Sequence, residues 1–267
     1  MLRISGIFKI TLRENLSGQL LWTSGISGFV LLLLMSTLSG SALTHESRII
    51  DVFSYFISDQ LLLLVGIFTG ASLCSTDFSA RGVSELYIPA GVSRHGLLLT
   101  RVIAYAIVLF FLACVLYLFK HTVLPLLADN PQQPNVTTHL TMFLFSWLKG
   151  LTALSIATLL GSVARPLYAI LGTLTLFSFG HLTSTFDSLL GSSSAQQAEA
   201  QIGAVNAFFY SLLKVWNPNL LVVDSVQGEW LAPTIESVMI GVLWAAGFIL
   251  ASLGLAIARV NRIDIRA

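Results

Sequence analysis

Lys149 is the first residue to explain, because it is a basic side chain inside the apolar run Leu140–Val163. At 1.5 Å per residue it sits about 15 Å into that run, near the middle of a bilayer. An ammonium at that depth costs about 3 kcal/mol on translocon scales and more on others. Two arrangements would offset this cost. Lys149 faces a polar cavity on a translocation path, or it pairs with an acid of another helix. Asp59 and Glu236 are the acids near the matching ends of two other apolar runs. A pair of this kind can also serve only to hold helices together.

Other residue types with chemical potential lack partners. Gly25-Ile26-Ser27-Gly28 has the G-x-S-G form of an intramembrane serine nucleophile, and His181 lies in another run. Ser27 is near the inner end of its run and His181 near the outer end of its own. They are roughly 20 Å apart in depth, too far for a hydrogen bond. Small residues at helix crossings account for these glycines. Cys74 and Cys114 both lie in apolar runs, with no metal-ligand spacing, and read as small buried hydrophobes. The chain has no G-x-x-x-x-G-K-[ST] and no H-E-x-x-H. We therefore expect no catalytic residue, no metal and no cofactor.

The elements that position Lys149 follow from composition. Of 267 residues, 55% are apolar and only 10% charged, with a net charge of +1. Soluble domains carry about 25% charge. Mean hydropathy is +0.83. A disordered chain, a polar solenoid and a nucleic-acid binder are excluded, the last for want of a basic excess. Six apolar runs stand out: Leu20–Leu38, Gln60–Thr76, Leu97–Phe119, Leu140–Val163, Leu167–Phe186 and Ile235–Ile257. Each approaches the roughly 20 residues a spanning helix needs. No cleavable signal peptide is evident. The expected fold is an all-α membrane protein with six transmembrane helices.

The basic residues orient it. With the N-terminus inside, the inner segments hold Arg3, Lys9, Arg13, Arg81, Arg94, Arg101, Arg165, Arg259, Arg262 and Arg266. The outer segments hold Arg48, Lys120 and Lys214. The positive-inside rule then puts both termini in the cytoplasm, with Asn135 and Gln196 outside. Residues 1–17 form an interfacial amphipathic helix. Ile4, Ile7, Phe8, Leu12 and Leu16 share one face and Arg3, Lys9, Arg13 and Glu14 the other, with Ile10 the exception. Ala164–Pro166 is a tight inner turn. The outer connection 187–234 is too long to be a mere link. Its Ala204–Trp216 stretch reads as an apolar helix stopped by Asn217-Pro218.

The inner segment 77–94 continues into the third run as DFSARGVSELYIPAGVSRHGLLLTR. Val83, Leu86 and Tyr87 fall at i, i+3 and i+4, which predicts a short amphipathic helix ended by Pro89 and Gly91. Ser93 stands where the third run needs an N-cap. This stretch resembles the permeases of type-2 ABC transporters. Their motif after the second span is an acidic stretch, then G-T-L-E-x-L-L-x-x-P-V-S-R, then a helix containing Gly-Lys. Gly82, Glu85, Leu86, Val92, Ser93 and Arg94 match it residue by residue. Arg101 stands where that family often has Lys. Ser84 replaces Leu, Gly91 replaces Pro, and Pro89 comes two residues early. The aromatic and Pro-Asn-Leu stretch FFYSLLKVWNPNLLVVD, Phe208–Asp224, is also similar to that family.

The resemblance covers the whole layout, 1–267, as a single permease domain of a bacterial inner-membrane exporter. It implies a cytoplasmic ABC ATPase as partner, a second permease copy (a homodimer), and membrane lipid around both, with no nucleic acid. ATP hydrolysis would belong to the partner. Gly82, Val83, Glu85, Leu86, Tyr87, Arg94 and Arg101 would form the coupling segment. Lys149, from its depth alone, stays a candidate for the translocation path beside the purely structural pairing. Two rivals stay open: a stand-alone secondary transporter or channel with inverted repeats, and a non-transporting membrane scaffold of an assembly complex. The segments 77–94 and 187–234 share no pattern, which counts against an inverted repeat.

Overall fold

The computed structural model describes residues 2–16, 19–39, 46–77, 92–122, 136–190, 225–226, 229–230 and 235–262. Among them are seven helices: α1 Leu2–Leu16, α2 Gln19–Ser39, α3 Glu46–Asp77, α4 Arg94–Thr122, α5 Val136–Val163, α6 Pro166–Leu190 and α7 Ile235–Arg262. All six apolar runs fall on helices α2 to α7. Four stretches among the described residues are long and apolar enough to cross a bilayer: Tyr55–Cys74, Arg94–Lys120, Leu140–Val163 and Val238–Arg262. Pro166–Gly180 in α6 is apolar but shorter. By length and composition this is a helical membrane protein, and a two-residue ladder is the one exception among the described residues.

The 187–234 connection is described only at its edges. Leu190 ends α6, and two residue pairs form a small antiparallel ladder, Ser225–Val226 against Glu229–Trp230. The expected helix over Ala204–Trp216 lies outside the described residues.

Helix boundaries follow local chemistry. Ser93 caps α4, as its position predicts: the Gly96 N–H donates to Ser93 Oγ at 3.3 Å, and the Leu97 N–H to the Ser93 carbonyl at 2.9 Å. Pro166 opens α6, where a missing N–H costs nothing. The turn before it closes through the Ala164 N–H to the Leu160 carbonyl at 2.8 Å. Many hydroxyls in the apolar helices donate back to their own helix, for example Thr69 to Val65 at 2.6 Å and Thr158 to Leu154 at 2.7 Å. That satisfies them where no water is at hand.

The bundle centres on α3 and α5, which touch backbone to backbone. A Cβ on Gly66 would strike the Gly150 carbonyl, and one on Gly70 the Leu154 carbonyl. A Cβ on Gly161 would come within 2.8 Å of the Ala71 carbonyl. Gly66 and Gly70 form a G-x-x-x-G pair, the spacing that lets apolar helices approach closely. Contacts advance together along both chains, so α3 and α5 run parallel. Cys74 Sγ reaches the Thr158 carbonyl at 3.5 Å further along the same seam.

α4 runs opposite to α5. Trp147 Nε1 donates to the Ala106 carbonyl at 3.3 Å, and Tyr117 meets Phe143 with ring centroids 5.3 Å apart. α2 follows α4: Gly25 faces Leu112, Gly28 faces Leu116, and Phe29 meets Phe119. Consecutive apolar helices thus alternate in direction from α2 to α5, as chain re-crossing a bilayer must.

α1 packs against the start of α4, where Ile7, Val92 and Leu97 form a buried cluster. Ile7 and Thr11 point inward, while Lys9, Ile10, Arg13 and Glu14 are exposed. The wheel reading holds for Ile7 and for the outward charges Lys9, Arg13 and Glu14. Two positions differ from it: Leu16 is exposed, and Thr11 takes a place in the buried face.

Candidate functional site: a buried ion pair beside a polar cavity

α3 is longer than the apolar run that marks it. The run begins at Gln60, but the 32-residue helix starts at Glu46 and passes straight through Asp59. Asp59 therefore does not bound a span; it sits within one, facing α5. There Lys149 Nζ donates to Asp59 Oδ2 at 2.5 Å. The two side chains are only 3% and 9% exposed respectively. Of the two acids the sequence offers, Asp59 is the partner, while Glu236 is exposed on α7.

The parallel seam explains the match in depth. Asp59 lies about 22 Å from Cys74 along α3, and Lys149 about 21 Å from Val163 along α5. Gly150 and Gly66 draw the two backbones together just below the pair. A charge pair in so dry a place gains a strong charge-assisted hydrogen bond but pays desolvation on both ions. Losing either partner leaves a buried naked charge.

Above the pair, towards the Thr122 end of α4, α3, α4 and α5 enclose a cavity. Its polar lining is Tyr55 and Ser58 from α3, Tyr117 and Lys120 from α4, and Ser146 from α5. Leu62, Leu116, Met142 and Phe143 form its apolar wall. Lys120 is buried. Tyr55 lies near both Asp59 and Ser146. Ser146 Oγ nonetheless meets no group at hydrogen-bonding distance and angle.

This cavity was legible only in hindsight. Tyr55, Ser58, Asp59 and Leu62 follow i, i+3, i+4, i+7, and Met142, Ser146 and Lys149 follow i, i+4, i+7. Those spacings put each set on one helix face. Which faces meet depends on the register of three helices, and no local pattern states it.

The coupling residues divide. Gly82, Val83, Glu85, Leu86 and Tyr87 lie outside the described residues. Arg94 is the first residue of α4, and Arg101 lies two turns further on, half-buried. Both are at the end of the bundle where α1 packs, opposite to Lys120 and the cavity. No group of His, Cys, Asp and Glu among the described residues could hold a metal ion. No family model matches the chain, and no curated protein matches it significantly.

Proposed function

We propose that the chain is the membrane-spanning permease subunit of an ATP-driven ABC exporter of the bacterial inner membrane. It would act as a pair of copies on a cytoplasmic ATPase. The observation that carries this reading is the motif Gly82–Arg94 in the connection between two long apolar helices, α3 and α4. The Ser93 cap supports it, because it starts α4 at the motif's last residue. The alternating helix directions support it as well, since they bring the α3–α4 connection to the same end of the bundle as α1 and the basic residues Arg94 and Arg101. That end would face the cytoplasm.

In this reading Glu85 is the charge that meets the ATPase, with Val83, Leu86 and Tyr87 as the apolar contact beside it. A carboxylate on a short exposed helix, as the sequence pattern predicts for Glu85, costs little to keep ionised. It gains a strong bond when a basic group meets it in a partly dry interface. Closure of the ATPases on ATP would push this segment, and α4 would carry the tilt into the bundle. Six spans, counting α2 and α6, belong to the same proposal.

Glu85→Ala tests the coupling role. In the purified complex it should lower ATPase retention or uncouple ATP hydrolysis from substrate, while membrane insertion is unchanged. One side of a buried charge pair is worth about 2–5 kcal/mol. Unchanged retention and unchanged substrate-stimulated hydrolysis would remove this segment from the transmission path.

A further inference from the structure

Among the described residues, Ser146 carries the one buried hydroxyl that makes no hydrogen bond. It is 4% exposed. Further along the same helix Thr152, Ser155 and Thr158 are also buried, and each donates to a carbonyl three or four residues back. Tyr55 lies near Ser146 but falls short of hydrogen-bonding geometry. Ser146 stands about 9 Å into the apolar stretch Leu140–Val163, at 1.5 Å per residue. A polar group left unserved at that depth in a bilayer is costly.

Ser146 lines the cavity between α3, α4 and α5. The enclosed space is about 30 Å³. A water needs roughly 10–15 Å³ on the same scale, so there is room for about two. Tyr55, Ser58, Tyr117 and Lys120 also reach the wall, and each already has a partner. A ligand that must take their hydrogens is therefore not what the site calls for. Water both donates and accepts, so it serves Ser146 and fits beside groups already engaged. Where two hydroxyls stop just short of each other, as Ser146 and Tyr55 do, water is the group that bridges them. Beyond the Lys149–Asp59 pair there is no such room. Gly66 meets the Gly150 carbonyl and Gly70 the Leu154 carbonyl, which packs that seam backbone to backbone.

We propose that this cavity is a hydrated site within the bilayer, with ordered water bound to Ser146, and that the α3–α5 seam beyond the ion pair is dry. The water then stands within one helix turn of Lys149 along α5. The inference stands on Ser146, the cavity and the seam. It does not depend on the exporter reading, because hydration is measured on the chain itself.

The test is radiolytic footprinting of the wild-type full chain in a maltoside detergent, read by peptide mass spectrometry. Hydroxyl radicals form from water where it sits and oxidise the sulfur beside it. Met142 lines the cavity, and Cys74 lies in the seam against the Thr158 carbonyl. They are 2% and 5% exposed, so exposure alone gives Met142 no advantage. Met142 should be oxidised at least tenfold faster than Cys74. Ser146→Ala removes the anchor of the water and should slow oxidation of Met142 at least threefold. Equal rates at Met142 and Cys74 in the wild type would overturn the hydrated cavity, and this comparison decides the question if Ser146→Ala does not fold. A Met142 rate unchanged by Ser146→Ala would overturn the site at Ser146.

Discussion

At the scale of single residues, the Lys149–Asp59 pair makes an asymmetric demand. Lys149→Leu leaves Asp59 buried without its cation, and Asp59→Leu leaves Lys149 buried without its anion. Each single change should destabilise the protein by roughly 3–5 kcal/mol. The double change leaves two apolar side chains in an apolar seam, so it should recover most of that loss. Denaturant titration of the four proteins in detergent completes the cycle. Single effects that simply add would mean the pair is not coupled in the folded protein. Transport separates the two roles that sequence alone leaves open. A double variant that folds but no longer transports makes the pair a working part of the path. One that transports normally makes it a fastening between α3 and α5.

At the scale of elements, the α3–α5 crossing is set by missing side chains. Gly70 has the Leu154 carbonyl where a Cβ would go, and a backbone carbonyl cannot rotate away as a side-chain tip can. Gly70→Ala should cost about 1–3 kcal/mol by forcing the helices apart. Gly247 on α7 has nothing within 4 Å. There the same substitution should change stability by no more than about 1 kcal/mol, and in the stabilising direction, since Ala is the better helix former. Thermal unfolding of the two variants in one detergent makes the comparison, and equal losses would contradict the close crossing. The same contrast shows what was readable beforehand. Gly66-x-x-x-Gly70 is visible in the sequence, but its partner on α5 is not. Gly150 and Gly161 are eleven positions apart, with Leu154 and Ala157 filling the seam between them. The Ser93 cap, by contrast, needs only its own neighbours, and it was legible. Ser93→Ala should cost α4 about 1 kcal/mol.

At the scale of the whole molecule, hydropathy was enough to find the long apolar helices among the described residues, because a 20-residue apolar run has few other fates. It was not enough to find where α3 begins. The stretch Glu46–Ser58 mixes charged and apolar residues, so hydropathy does not mark it, yet α3 runs through it. That is why Asp59 lies just outside the apolar run Gln60–Thr76 in the sequence and is interior in the structure. The direction of the bundle is a matter of charge. Single cysteines at His95 and at Thr122, in a background lacking Cys74 and Cys114, report on opposite ends of α4. In intact cells an impermeant maleimide should label Thr122→Cys and spare His95→Cys. The reverse pattern would invert the bundle and take the Arg94 end away from any cytoplasmic ATPase. The central claim is the partnership itself, and the most direct measurement is what stays with the chain when it is drawn from its own membrane. Tagged full-length protein, purified in mild detergent from its native host, should retain a Walker-motif ATPase in equal amount and hydrolyse ATP. Chain that purifies alone, with no nucleotide-binding subunit in any mild detergent, while substrate still crosses membranes that contain only this chain, would contradict the account.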